Sequence, residues 1–306
     1  MKLRFICAQP TSLYYAWQVE VMINNFIRNG INPNNIEIVS SYSASIPECW
    51  RKLANKYNYV RFFFYKDERR FSKYVSSIRP YILYQHWLKY PELEKETIFY
   101  HDCDIVFTKP PVDFESLEEG EKCYVSDTVS YIGAKYIQSK GQNYLDIMTE
   151  IVGIPKEKVI ENEKNSGGAQ YIIKRITKEF WAKVYKDCEE MFSTIVKKQN
   201  GNPSSPFQIW CADMWAVLWN LWVFNKEVEV HPSMAFSWAT SGVAEWDRKI
   251  IFHNAGVTGE RKDLFNKSQY QKIYPFGIKL EDFSSKHCSI KYVEEILKTK
   301  EVSCLL

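Results

Sequence analysis

No stretch of the 306-residue sequence approaches the run of about 18 apolar residues that a membrane-spanning helix needs. Met1-Lys-Leu-Arg-Phe-Ile-Cys-Ala8 is too short for the apolar core of a secretory leader. An excess of either charge is missing too. Forty basic residues stand against thirty-seven acidic ones, a net charge of +3, with the signs interspersed. That balance excludes the basic footprint of a dedicated nucleic-acid binder. There is no internal repeat or low-complexity array, so solenoid and linker architectures are set aside. The eight cysteines (7, 49, 103, 123, 188, 211, 288 and 304) form no CxxC and show no pairing rhythm. Reduced thiols in apolar segments are expected, and with them a soluble, cytoplasmic protein. Abundant Lys, Asn, Ile and Tyr point to an AT-rich genome, such as that of a virus.

What is present is a chain long enough to bury about 75% of its unfolded surface, with 16% aromatic residues. Most of those rings fill a core, although flat apolar faces also suit sugar rings. Leu3 to Ala8 reads as a strand, Leu13 to Asn29 as a helix ended by Gly30, and Asn35 to Ser40 as the next strand. Strand, helix, strand at the start predicts an α/β fold around a mainly parallel central sheet flanked by helices. Further strands are expected at 57–65, 123–129, 228–231 and 249–253, and helices at 78–90, 180–197, 207–224 and 290–299. The Gly- and Pro-containing loop 198–206 is a candidate lid.

Thr97-Ile-Phe-Tyr-His-Asp-Cys-Asp-Ile-Val-Phe107 sets two carboxylates inside an apolar, β-branched run. Read as one strand, it directs Asp102 and Asp104 to the same face, about 6–7 Å apart, and calls for a cation between them. Thr108-Lys-Pro-Pro111 closes the strand, which places the pair at a carboxyl edge where α/β sheets bind ligands. The alternative is a pair of turn or capping aspartates. Asp102-Cys-Asp-Ile-Val106 also fits the D-x-D-x-[TV] of haloacid dehalogenase phosphatases, in which Asp102 would be a nucleophile. Those enzymes carry the motif on their first strand, whereas about four elements precede it here.

Four segments in order, His101-Asp-Cys-Asp104, Asn165-Ser-Gly-Gly168, Ala212-Asp-Met214 and Phe252-His-Asn-Ala-Gly256, resemble the metal-dependent glycosyltransferases of the GT-A fold. Their layout is most similar to family 8, shared by glycogenins and bacterial lipopolysaccharide galactosyltransferases. The resemblance spans residues 1–265 and implies a single GT-A domain, with 266–306 a helical extension packed on it. It implies sugar transfer from a nucleotide diphosphate sugar, UDP-sugar favoured, to a glycan or glycoprotein hydroxyl, with retention favoured. A noncatalytic carbohydrate-binding protein is the third alternative.

By that resemblance Asp102, Asp104 and His253 hold Mn2+ or Mg2+, and two carboxylates with an imidazole suit such an ion on chemical grounds. A histidine satisfied by backbone at the core edge is the plainer account of His253. Asn165 and Gly167 look like the family's sugar-binding N-[SA]-G, against an ordinary turn. Asp127 is similar to an acid that holds donor hydroxyls. Arg79, with Lys73 as an alternative, corresponds to a diphosphate-binding cation. Gly256 completes H-x-x-G, but the Lys-Pro-Trp that follows in the family is replaced by Gly259-Glu-Arg-Lys262, leaving Arg261 or Lys262 to meet the diphosphate. Ala8, Gln9 and Tyr14 stand where this fold holds the nucleotide. Asp213 matches the first residue of the family's Asp-Gln beside the anomeric carbon, and Met214 stands where the family has Gln. Its apolar helix demands a partner for the charge, so a catalytic acid and an Arg-paired structural acid both fit.

Overall fold

The computed structural model describes residues 3–70, 72–141 and 143–305. Met1 and Lys2, part of the segment read for a leader, lie outside the described residues. The strands in chain order are β1 (Arg4–Pro10), β2 (Ile36–Tyr42), β3 (Arg61–Lys66), β4 (Thr97–His101), β5 (Ile105–Phe107), β6 (Cys123–Asp127), β7 (Gly167–Lys174), β8 (Val228–Val230), β9 (Phe236–Trp238) and β10 (Ile251–His253). The fold is α/β, with a mostly parallel central sheet flanked by helices. By contacts the chain falls into two compact units: residues to 66 with 101–116 and 233 onward, and residues 67–100 with 117–232.

In the first unit β1, β2 and β3 run parallel, with Phe5 opposite Ile36 and Glu37 opposite Arg61. The helix Leu13–Arg28 joins β1 to β2 and ends as expected before Gly30, whose φ of 83° needs a residue without a Cβ. A second sheet in this unit has the order β5-β10-β9, with β10 antiparallel to β5 and parallel to β9. Phe5, Phe26 and Phe107 form the packed centre, with ring centroids 4.6–6.1 Å apart. Asn25 clamps β5 there. Its carboxamide accepts from the Phe107 amide at 2.8 Å and donates to the Phe107 carbonyl at 3.0 Å, serving both edge groups of a strand only three residues long.

In the second unit the order is β4-β7-β6-β8, with β7 antiparallel to both neighbours and β6 parallel to β8. The helices Ile78–Lys89, Lys178–Lys198 and Ala212–Val223 pack here around buried Trp87, Trp181, Trp215 and Trp219. The predicted helix over 207–224 begins later than expected, because a one-turn 3₁₀ segment, Ile209–Cys211, comes first. The loop 198–206 is tied at its base rather than hanging free. The Gln199 side chain accepts from the Phe207 amide at 2.8 Å and donates to the Asn202 and Phe207 carbonyls.

One sequence-derived expectation fails. Residues 97–107 are not one strand: β4 stops at His101 and β5 starts at Ile105 in the second sheet, with Asp102, Cys103 and Asp104 in the turn between them. Strand alternation therefore does not set the direction of the two carboxylates. The turn does.

Candidate metal and donor site

His101 fixes that turn. Its Nδ1 lies 2.9 Å from the Asp102 carbonyl, an acceptor, so the proton sits on Nδ1. Burial drives the imidazole toward neutrality, with a pKa down to about 4, and its ring packs 5.3 Å from Phe26. On the other side, the Asn254 amide donates to the Asp104 carbonyl at 3.0 Å, which joins the end of β10 to the turn.

This brings Asp102, Asp104 and His253 together, as the sequence predicts, with one potential ligand atom from each lying within 4.8 Å of the others. His253 Nε2 stands 3.3 Å from Asp104 Oδ1 and 3.6 Å from Asp102 Oδ2. Trp238 stacks on the imidazole at 5.9 Å and 14°, and Phe236 closes on it at 5.6 Å, so the ring has one orientation. Asp104 is 4% exposed. Burial pushes its carboxyl up, but Lys267 and then His253 more than offset this and hold it well below the usual carboxylate range.

Lys267 carries no signal in the sequence. Its ammonium forms an ion pair with Asp104 Oδ2 and feels Tyr14 and Asp102 as well. No periodicity or motif marks it; the missing lysine after Gly256 was the one hint that a cation had to come from elsewhere. The two cations proposed from sequence are placed differently. Arg261 is occupied by Asp263 at 2.9 and 3.0 Å, and Lys262 is exposed.

The chemistry of the donor set fits a hard or borderline divalent ion, with two carboxylates and one imidazole leaving positions for phosphate oxygens. A second observation agrees. Asn254, directly after His253, is 2% exposed, and neither its Oδ1 nor its Nδ2 has a hydrogen-bond partner among the described residues. A buried carboxamide in that state needs a ligand or solvent to complete it.

Of the residues assigned to the nucleotide, Tyr14 lies beside this group. Burial raises its phenol, and Lys267 and Asp104 act on it in opposite directions. Ala8 and Gln9 are buried within β1, where Gln9 Nε2 donates to the Ser40 hydroxyl at 2.9 Å and Oε1 has no hydrogen-bond partner among the described residues. Gly256 has φ 85°, and a Cβ there would meet nothing closer than 3.7 Å, so its backbone angle rather than crowding requires glycine.

The remaining predicted residues belong to the second unit. Asp213 is 6% exposed, and both its oxygens are engaged, Oδ1 accepting from the Tyr74 hydroxyl at 2.5 Å and Oδ2 paired with Arg79 at 2.5 Å. Arg79, read as a diphosphate cation, thus meets a carboxylate. Asp127 is exposed at the end of β6, where its Oδ1 accepts from the Val129 amide at 3.1 Å. Asn165 receives the Val230 amide at 3.4 Å and lines a recess with Lys122, Lys158, Lys164 and Lys226. Gly167 sits opposite Asp127, beside a bulge in β7 where Ala169 and Gln170 fall between the partners of Ser126 and Val125, and a Cβ would lie 2.3 Å from Val125 Cγ2 and 2.5 Å from the Ser126 carbonyl. The close approach that makes it glycine is strand against strand.

No family model matches the chain, and no curated protein matches it in sequence. Among solved structures it is similar to the bifunctional glycosyltransferase WbbM, with a TM-score of 0.47, 10% identity, 96% of this chain covered and 51% of that one. The chain thus spans about half the length of that protein. It is similar to the galactosyltransferase LgtC in complex with donor and acceptor sugar analogs, with a TM-score of 0.47, 11% identity and coverage of 96% and 95%. A third is a glycosyltransferase involved in glycosylation of the major capsid of PBCV-1, with a TM-score of 0.43, 10% identity and coverage of 84% and 97%. Likeness at that level assigns neither substrate nor residue roles. No helix among the described residues is long and apolar enough to cross a membrane.

Proposed function

We propose that this chain is a metal-dependent glycosyltransferase of the GT-A kind. It moves a sugar from a nucleotide diphosphate sugar, UDP-sugar favoured, to a hydroxyl of a glycan or glycoprotein. The observation that carries this reading is the convergence of Asp102, Asp104 and His253 at the end of β4, within one unit. These three would hold Mn2+ or Mg2+, and the ion, when bound, supplies Lewis-acid charge to the leaving diphosphate, worth several kcal/mol.

The chain's own residues do the rest. His101, neutral, holds the acidic turn by its carbonyl, while Trp238 and Phe236 fix the plane of His253. Tyr14, kept protonated by burial, offers a hydroxyl donor and a flat face to the nucleotide. Asp213 is already committed to Tyr74 and Arg79, so we do not make it the base for the acceptor hydroxyl. We therefore give the acceptor's proton to the leaving phosphate, which is the retaining course: the anomeric carbon's bond to the diphosphate oxygen breaks, its bond to the acceptor oxygen forms on the same face, and the proton passes to the phosphate.

Thermal melting with UDP or GDP, each with and without Mn2+, tests the reading. A nucleotide should raise the Tm only when the metal is present, and Asp104→Asn should remove that shift. A shift of equal size without metal, or one that survives in Asp104→Asn, rejects it.

A further inference from the structure

The acidic group carries a cation of its own. Lys267 Nζ pairs with Asp104 Oδ2, the oxygen opposite the one that faces His253. This is not a loose surface contact. Asp104 is 4% exposed, and the Lys267 side chain is only 27% exposed.

The backbone around it is pinned. The Phe265 amide donates to the Ser289 hydroxyl at 2.8 Å, Asn266 caps the 3₁₀ turn Lys267–Tyr270 through the Ser268 amide at 3.0 Å, and the Trp17 indole donates to the Tyr270 carbonyl at 3.1 Å. With both ends of the turn held, the part of Lys267 that moves is its four-carbon stem.

We propose that Lys267 is the resident counter-cation of the acidic pair, and that its ammonium and a divalent ion exchange on Asp104. Two carboxylates and an imidazole within reach of one another still offer a divalent ion its ligands beside that single ammonium. Once that ion is on the same acids, the ammonium faces like charge at close range and its stem swings out. The exchange has a use. It keeps the buried carboxylate of Asp104 compensated when no metal is bound, and it sets a threshold of free cation below which the ammonium holds that acid. This inference rests on the metal-dependent reading, and its test separates the two.

The full chain, stripped with EDTA, is titrated calorimetrically with Mn2+ alone, as wild type, Lys267→Met and Asp104→Asn. Loss of the competing ammonium should tighten Mn2+ by about tenfold in Lys267→Met, while Asp104→Asn abolishes binding. In the wild-type chain, reductive methylation read by mass spectrometry should find Lys267 protected in EDTA and labelled severalfold faster in Mn2+. If binding requires Asp104 but Lys267→Met binds no more tightly, or if Lys267 labelling ignores Mn2+, the exchange is wrong and the metal reading stands. If Asp104→Asn binds Mn2+ as wild type does, both fall. The labelling experiment decides the exchange even should Lys267→Met fail to fold.

Discussion

Asp104 in the first unit and Asp213 in the second are both buried carboxylates paired with a basic side chain, at 4% and 6% exposure. Their surroundings differ in count and in kind. Asp213 is a single acid facing a guanidinium on one oxygen and a phenol on the other, each at 2.5 Å. Charge is balanced there, and the planar Arg79 fork has little freedom to leave. Asp104 shares its space with Asp102 and His253, and its lysine partner is a point charge on a flexible stem. An acid that is saturated by a rigid partner belongs to the scaffold. One that shares its space with a second acid and has a movable partner is the one we propose takes on a ligand.

That contrast is broken most sharply by removing each cation. Arg79→Met takes the guanidinium from buried Asp213 and leaves it the Tyr74 hydroxyl, and should lower stability by about 3 kcal/mol in urea denaturation at neutral pH, the low end for a broken buried pair because Arg79 keeps 24% exposure. Mn2+ should not restore it. Lys267→Met should cost about 1–2 kcal/mol in EDTA, since Asp104 keeps His253 nearby, and Mn2+ should recover that loss. Rescue of Arg79→Met by Mn2+, or no rescue of Lys267→Met, would erase the distinction between the two sites.

The same pair shows what could be read from the chain and what could not. Asp213 sits in Trp210-Cys-Ala-Asp-Met-Trp-Ala-Val-Leu-Trp219, so the need for a partner was plain from composition. The partner's identity was not, because Arg79 is distant in sequence and was given another task. The Asp102 and Asp104 pair was legible as an acidic interruption of an apolar run. Its geometry was misread as one strand, since the switch from β4 to a second sheet at β5 is imposed by long-range contacts such as Asn25 on Phe107. Lys267 was invisible for the same reason: one contact across the fold, with no period to announce it. Long, periodic elements such as Leu13–Arg28 were found nearly to the residue, whereas β9, three residues long, has no room for a pattern.

Glycines of the two motif segments extend the comparison. Gly167 is crowded by backbone, with the Ser126 carbonyl 2.5 Å from a would-be Cβ, and backbone cannot step aside as a side chain can. Gly167→Ala should cost about 3 kcal/mol, by shifting β6 against β7. Gly256→Ala meets open contacts at 3.7 Å and pays only for its φ of 85°, about 1 kcal/mol. Denaturation of both variants gives the order directly, and a costlier Gly256→Ala would mean that the close approach of β6 to Gly167 is not what fixes that residue.

The smallest expected effects concern two helix acids with opposite pH behaviour. Glu295, in the first unit, is raised by burial but drawn down further by Lys298, Asn25 and Arg28, so its folded pKa lies below the unfolded one. Its contribution is therefore complete above the ordinary Glu value of about 4.3 and is lost as pH falls through the depressed folded value. Asp187, in the second unit, has Lys183 and Asn220 at 2.8 Å, yet burial outweighs both and its pKa is raised. Between the ordinary Asp value of about 3.9 and that raised value the folded state binds the extra proton, so stability falls as pH rises through the window. Glu295→Gln should lose about 1 kcal/mol at neutral pH and flatten the acid limb. Asp187→Asn should be neutral or gain up to about 1 kcal/mol, because it removes a charge that its helix does not fully compensate. Urea midpoints followed from about pH 3 to 7 read both slopes. Variants that moved stability in the same direction across that range would show that partner count, not burial alone, fails to separate these two acids, and the contrast drawn between Asp104 and Asp213 would need a different physical basis.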